Sequence, residues 1–276
     1  MEFIDHKRVR IEDVEITLAQ STELSVKWIG QEEVIKQLLA AWMIIDEKDL
    51  PFNPRLLGKP GVGKTTLAYT AARRLGKAVY MFQATMDTRP EDLIITPVVM
   101  SGGIVSYAAS SLVTAMIKGD ACIIDEGNRM SEKSWASLAP LLDDRRYVES
   151  IIAGIKIPAQ KGFVIAVTMN DDTSTYEIPE YIHSRLQPQI TVDFPEKDEE
   201  KKILKENLPF IDEEILEYVV TFLQRAHGND EIYTVRDGIN VARYAGKLIK
   251  SEGLSRAKAL RKAVSLTLGE EVLQYL

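Results

Sequence analysis

Cysteine is nearly missing from this 276-residue chain: Cys122 stands alone. No disulfide framework can form, which fits a reducing, cytoplasmic setting. Cys122 lies in the apolar run Ala121-Cys122-Ile123-Ile124 and reads as a small buried hydrophobe, not a reactive thiol. Long apolar runs are missing too; none approaches the roughly 18 residues that a membrane span requires. The start, Met1-Glu2-Phe3-Ile4-Asp5, is acidic where an export signal would be basic and then apolar, so a cytoplasmic chain without a membrane is expected. Basic residues are not in excess, with 34 Lys and Arg against 41 Asp and Glu and a formal charge of −7. A generally basic, phosphate-tracking surface is thereby excluded and nucleic acid is not the expected partner, although a local basic patch inside an oligomer stays open. Internal repeats and low-complexity tracts are absent, as is an Asn-Lys-x-Asp motif that would select guanine.

Against these absences, apolar runs bounded by turn residues recur at Leu56 to Leu57, Ala78 to Phe82, Ala121 to Ile124, Phe163 to Thr168 and Gln189 to Val192. Helix-period segments lie between them at Thr65 to Leu75, Leu112 to Lys118, Glu132 to Leu142 and Pro179 to Leu186. Such alternation predicts an α/β fold, a three-layer parallel sheet with helices on both faces. After Phe194-Pro195-Glu196 the text turns helical and amphipathic, with breaks at Leu208-Pro209, Gly228-Asn229-Asp230 and Ser251-Glu252-Gly253. Two domains are expected: an α/β nucleotide-binding core over residues 1–195 and an all-helical lid over 196–276. The apolar lid stretches Ile215 to Leu223 and Val241 to Ile249 are expected to form lid core in preference to a partner surface.

The segment Gly58-Lys59-Pro60-Gly61-Val62-Gly63-Lys64-Thr65-Thr66 follows a short apolar run and precedes a helix. It fits G-x-x-x-x-G-K-[ST], a phosphate-binding loop. Glycines at 58, 61 and 63 let backbone N–H groups surround phosphates at the positive end of the following helix. Lys64 is expected on the β- and γ-phosphates and Thr65 on Mg²⁺. About sixty residues later an apolar strand ends in Asp125-Glu126, whose carboxylates strand polarity places on the edge of the loop. Asp125 would orient Mg²⁺, and Glu126 would polarise an attacking water. A second strand ends in Asn170, whose amide would bond the water or the γ-phosphate, unless it merely leads a turn with Asp171 and Asp172. Arg185, closing a short helix from Pro179, reads as an arginine finger or as the partner of Glu180 in an intrahelical ion pair. Thr234 reads as a helix N-cap, with Arg236 in the first turn, where a cation is disfavoured. A phosphate partner would explain Arg236, and Asp237 with solvent is the alternative.

The ordered set resembles the AAA+ ATPases, and more narrowly their MoxR-type family. Trp28-Ile29-Gly30-Gln31-Glu32-Glu33-Val34 is similar to the family's box near the adenine, which assigns Ile29 and Gly30 to nucleotide binding. Gly58 to Thr65 matches Walker A, Ile123-Ile124-Asp125-Glu126-Gly127-Asn128-Arg129 matches Walker B and its extension, and Asn170 matches sensor 1. Arg185 takes the arginine-finger place and Arg236 that of sensor 2. The family often has Ile after the Walker B acids and Phe after the finger; Gly127 and Leu186 stand here. Residues 97–107, around Gly102-Gly103, read as a hairpin like the helix-2 insert of the MoxR branch, which faces the ring pore; 146–157, turning near Ala153-Gly154, resemble its pre-sensor hairpin. For Arg129, Arg145 and Arg146 two readings stand open, contact with a neighbour's nucleotide or ordinary solvated surface.

The resemblance implies ATP and Mg²⁺ as cofactors and a homo-hexameric ring that remodels, activates or assembles a client protein. A separate chain carrying a von Willebrand factor A domain is the implied partner. A nucleic-acid motor or loader is the alternative, disfavoured by the acidic balance and by an insert without Lys or Arg from Val98 to Ser106. A nucleotide-gated scaffold is another, which would need neither Glu126 nor Arg185.

Overall fold

In the computed structural model, residues 1–25, 27–99, 103, 105–171, 178–229 and 231–275 are described. Two compact units divide the chain. The first holds Met1–Ser25, Glu32–Gly58 and Lys64–Thr191; the second holds Val26–Gln31, Lys59–Gly63 and Val192–Leu276.

The first unit begins with three short strands, β1 (Glu2–Phe3), β2 (Arg8–Ile11) and β3 (Val14–Thr17), followed by α1 (Glu32–Ala41). Then come β4 (Arg55–Gly58), α2 (Lys64–Arg74), β5 (Val79–Gln83) and α3 (Pro90–Leu93). The insert supplies β6 (Ile95–Val99) and β7 (Val105–Ala109), and α4 (Ser111–Lys118) leads to β8 (Ala121–Asp125). After α5 (Glu132–Leu138), a hairpin of β9 (Tyr147–Ser150) and β10 (Ile155–Pro158) precedes β11 (Val164–Asn170), α6 (Glu180–His183) and β12 (Gln189–Thr191).

The apolar runs form one parallel sheet in the order β12-β4-β11-β8-β5. β8 and β11 are buried along almost their whole length, as strands covered on both faces must be. Helix ends follow local chemistry. Ser110 accepts a hydrogen bond from the Val113 N–H to open α4, and Gly119, at φ 72°, closes it in the left-handed region. The helix expected over Glu132 to Leu142 stops at Leu138, because Pro140 has no N–H to continue the ladder.

The two expected hairpins form, β6 with β7 and β9 with β10, although residues 100–102 and 104 at the first turn lie outside the described set. What the sequence reading lacked is the N-terminal sheet. β1, β2 and β3 are antiparallel, and β3 runs parallel to β7 (Ile16 opposite Tyr107), so the insert belongs to a five-stranded sheet β1-β2-β3-β7-β6. Val9, Ile11 and Ile16 tie that sheet to the main core.

The second unit contains α7 (Lys197–Asn207), α8 (Glu213–His227), α9 (Val235–Glu252) and α10 (Arg256–Leu268). Ile215, Val219, Phe222, Leu223, Val241, Ala245 and Leu248 are buried in one cluster, so the apolar stripes are core. Glu200 is fully buried there; its carboxylate accepts from Gln224 Nε2 at 2.9 Å, and burial pushes its pKa from the ordinary 4.5 to about 7. A carboxyl whose folded pKa is raised costs stability as pH climbs above 4.5, and the cost is complete above about 7. Glu200→Gln is therefore expected to raise Tm at pH 8 and to change it little at pH 4.5; equal shifts at both pH values in calorimetry would contradict this. Among the described residues, no helix is long and apolar enough to cross a membrane.

Candidate nucleotide site

Strand register brings the first unit's polar residues to one edge. Gln83 is opposite Asp125, and Asn170 is opposite Gly58, all at carboxyl-terminal strand ends. α2 starts at Lys64, whose buried Nζ donates to the Gly58 carbonyl at 2.7 Å. Thr65 Oγ1 donates to Asp125 Oδ1 at 2.7 Å, and the Thr168 hydroxyl donates to the same oxygen. Thr168 Oγ1 also accepts the Glu126 N–H at 3.0 Å. One β11 hydroxyl thus fixes both acids, and the sequence reading had counted Thr168 as strand core only.

Glu126 sits in the left-handed region, at φ 55° and ψ 41°. Few side chains adopt that conformation, so the tertiary contacts must hold it. Its Oε1 accepts from Asn170 Nδ2 at 3.2 Å, its Oε2 from Gln83 Nε2 at 3.2 Å, and Arg129 Nε stands 2.7 Å from Oε2. The Asn170 amide therefore faces the acid. Gln83 was also missed; its only sequence signal is a polar residue at the end of an apolar run.

Arg185 lies at the other end of the sheet. Its carbonyl accepts from Asn53 Nδ2 at 3.1 Å, and Arg55 N–H donates to the Pro188 carbonyl at 3.0 Å, both where β4 begins. Its guanidinium is 3.4 Å from Asp143 Oδ2 and donates to the Tyr181 carbonyl. Among the described residues its carboxylate partner is not Glu180 but Asp143, which is 42 residues away in sequence and invisible to helical spacing. Arg145, bonded to the same carboxylate, and then Arg185 hold the Asp143 pKa at about 2. Of the three open arginines, Arg129 pairs with Glu126 and Arg145 with Asp143. Arg146 is half-buried, donates to the Phe163 carbonyl at 2.7 Å and covers the Phe163 ring.

Lys59–Gly63 cluster with the second unit. Gly61 (φ 82°) and Gly63 (φ 99°) hold left-handed backbone, and added Cβ atoms would come within 2.8 Å of Thr234 Oγ1 and of Trp28 Cζ3. Pro60 is exposed and Val62 buried, while Thr66 continues α2 in the first unit. Ile29 is half-buried, and Gly30 (φ 80°) packs against the Glu199 side chain, which accepts the Gln31 N–H at 2.9 Å. Thr234 caps α9, and Asp237 accepts both its N–H and its hydroxyl at 2.8 Å. Asp237 is thus spent on the cap, while Arg236 is exposed and has no ion pair among the described residues. Within the first unit the hard oxygens of Thr65 and Asp125 fit Mg²⁺, and within the second the left-handed backbone of Gly61 and Gly63 fits the close approach of phosphate.

Residues 55–186 match the AAA domain of the dynein-related subfamily. Chaperone MoxR1 of Mycobacterium tuberculosis is 26% identical over 178 residues, 64% of this chain and 44% of that protein. An uncharacterized protein of Staphylococcus epidermidis is 24% identical over 224 residues, 78% of this chain and 82% of its own length. Thermotoga maritima RuvB, a Holliday junction branch migration motor, matches in structure with a TM-score of 0.57 at 20% identity, covering 86% of this chain and 70% of that one. That likeness is one of fold. With the phosphate loop and the Asp125-Glu126 strand end, residues 55–186 match an AAA domain, and the chain is similar to MoxR-type AAA+ ATPases.

Proposed function

We propose that this chain hydrolyses ATP with Mg²⁺ in a homo-hexameric cytoplasmic ring, and that the ring remodels, activates or assembles a client protein with a separate von Willebrand factor A domain partner. The observation that carries the ring is the split between sheet edges: Glu126, Asp125 and Asn170 at the carboxyl ends of the strands, Arg185 at the opposite end. A finger so placed serves a neighbour's nucleotide. The loop amides and Lys64 bind the phosphates, Glu126 orients water, Asn170 holds Glu126 and reads the γ-phosphate, Ile29 and Gly30 lie by the base, and Arg236 couples the lid. Thr65 and Asp125 would hold Mg²⁺, which would supply neutralisation of phosphate charge.

A protein client is supported by the apolar hairpins: Val99 is 74% exposed on the insert and Ile151 93% exposed at the turn between β9 and β10. Apolar edges of this kind suit a polypeptide better than a phosphate backbone. ATPase rate per chain should rise with protein concentration alongside ring formation in sedimentation, and EDTA should abolish it. A monomer whose rate per chain is independent of concentration would sink the ring.

A further inference from the structure

α8 ends at His227 and α9 begins at Val235, after its N-cap Thr234, and one imidazole joins the two ends. The His227 ring lies flat on Phe194, with centroids 3.9 Å apart and planes within 13°. Lys59 Nζ, in the phosphate loop, stands 5.4 Å from the centroid of the same Phe194 ring. His227 Nε2 is 2.5 Å from the Tyr233 carbonyl oxygen. A carbonyl only accepts, so Nε2 carries the proton and donates. Burial, and then Lys59, push the His227 pKa below its ordinary value against the pull of that carbonyl, which keeps the ring neutral at pH 7. The residue after Tyr233 is Thr234, which packs on Gly61 of the loop and caps the helix that carries Arg236. The loop therefore meets the start of α9 twice, through Gly61 on Thr234 and through Lys59, Phe194 and His227 on Tyr233.

We propose that His227 is a positioning residue of the nucleotide site: its stack on Phe194 and its hydrogen bond to Tyr233 set where α9 starts, and so where Arg236 stands with respect to the phosphate loop. This rests on the reading of Arg236 as a phosphate ligand. His227 touches no nucleotide itself; it acts through Arg236, whose own turn offers no carboxylate to hold it, Asp237 being committed to the cap.

The test is affinity for a fluorescent ATP analogue, measured with purified full-length chains so that binding is read apart from hydrolysis. His227→Phe keeps a flat ring on Phe194 and removes the donor; it should weaken binding about tenfold, the size of one hydrogen bond. Arg236→Ala should weaken binding by at least as much. With Arg236 already removed, His227→Phe should cost nothing further, because its effect passes through that guanidinium. A merely structural role would lower affinity again on the Arg236→Ala background, and additive losses overturn the inference while leaving the site reading intact. If Arg236→Ala alone binds as wild type, the site reading falls and the inference falls with it. His227→Gln, whose amide can still donate to the Tyr233 carbonyl, provides a second variant should the phenylalanine chain not fold. It must keep affinity within about threefold of wild type, and a tenfold loss overturns the proposal.

Discussion

An equal mixture of Arg185→Ala and Glu126→Gln chains is expected to recover ATPase activity that neither variant has alone. Each variant by itself is expected to lose on the order of a thousandfold or more, the range in which a finger arginine contributes to phosphoryl transfer. Glu126 is held at one edge of the sheet by Asn170 and Gln83, and Arg185 is held at the other by Asp143 and the Tyr181 carbonyl. In a mixed ring, one chain offers an intact Glu126 and its neighbour an intact Arg185 at about a quarter of the interfaces, so up to about a quarter of the wild-type rate should return. No recovery, with both chains shown to co-assemble, would place Arg185 in its own subunit's chemistry. If Arg185→Ala keeps the wild-type rate, the finger assignment is wrong and a nucleotide-gated scaffold becomes the better reading.

The five parallel strands were legible because β8 and β11 are covered on both faces, which leaves unbroken apolar runs in the text. β1 to β3 were not, although Arg8-Val9-Arg10-Ile11 carries the alternation of a half-exposed strand. Strands of two to four residues give a weak periodic signal, and the partner of β3 is β7, some ninety residues on. The site divides in the same way. Lys64, Thr65, Asp125, Glu126 and Asn170 stand at readable places: a loop pattern and strand ends. Thr168, Gln83 and Asp143 do their holding across strands or between distant turns, and such pairings exist only once the sheet is assembled. The cap at Thr234 was readable, but the contact between Thr234 and Gly61 that gives it meaning was not.

Gly127→Ile, the residue common in the resembling family at this place, is expected to lower stability by about 3 kcal/mol, the upper end for overpacking a buried site. Gly127 follows Glu126 directly and is buried. A Cβ there would fall inside the envelope of Val167 Cγ1, with Trp135 carbons at 3.4 and 3.5 Å on another side. Its φ is not among the positive ones, so the obstacle is space and not backbone strain. Val167 cannot readily yield: it lies on the central strand β11, paired with Ile124 on one side and Arg55 on the other. The Val167 side chain therefore fills the space that bulk at position 127 would need. The double variant Gly127→Ile with Val167→Ala should recover much of the loss, since the methyl groups that collide are the ones removed. Thr168 and Asn170 follow Val167 on the same strand, and both position Glu126. A displaced β11 should then lower ATPase rate per folded chain as well as Tm, and the compensating change should restore both. Calorimetry and steady-state rates on the two single variants and the double variant decide it; a neutral Gly127→Ile, or losses that add, would show that the strand end has room the packing denies.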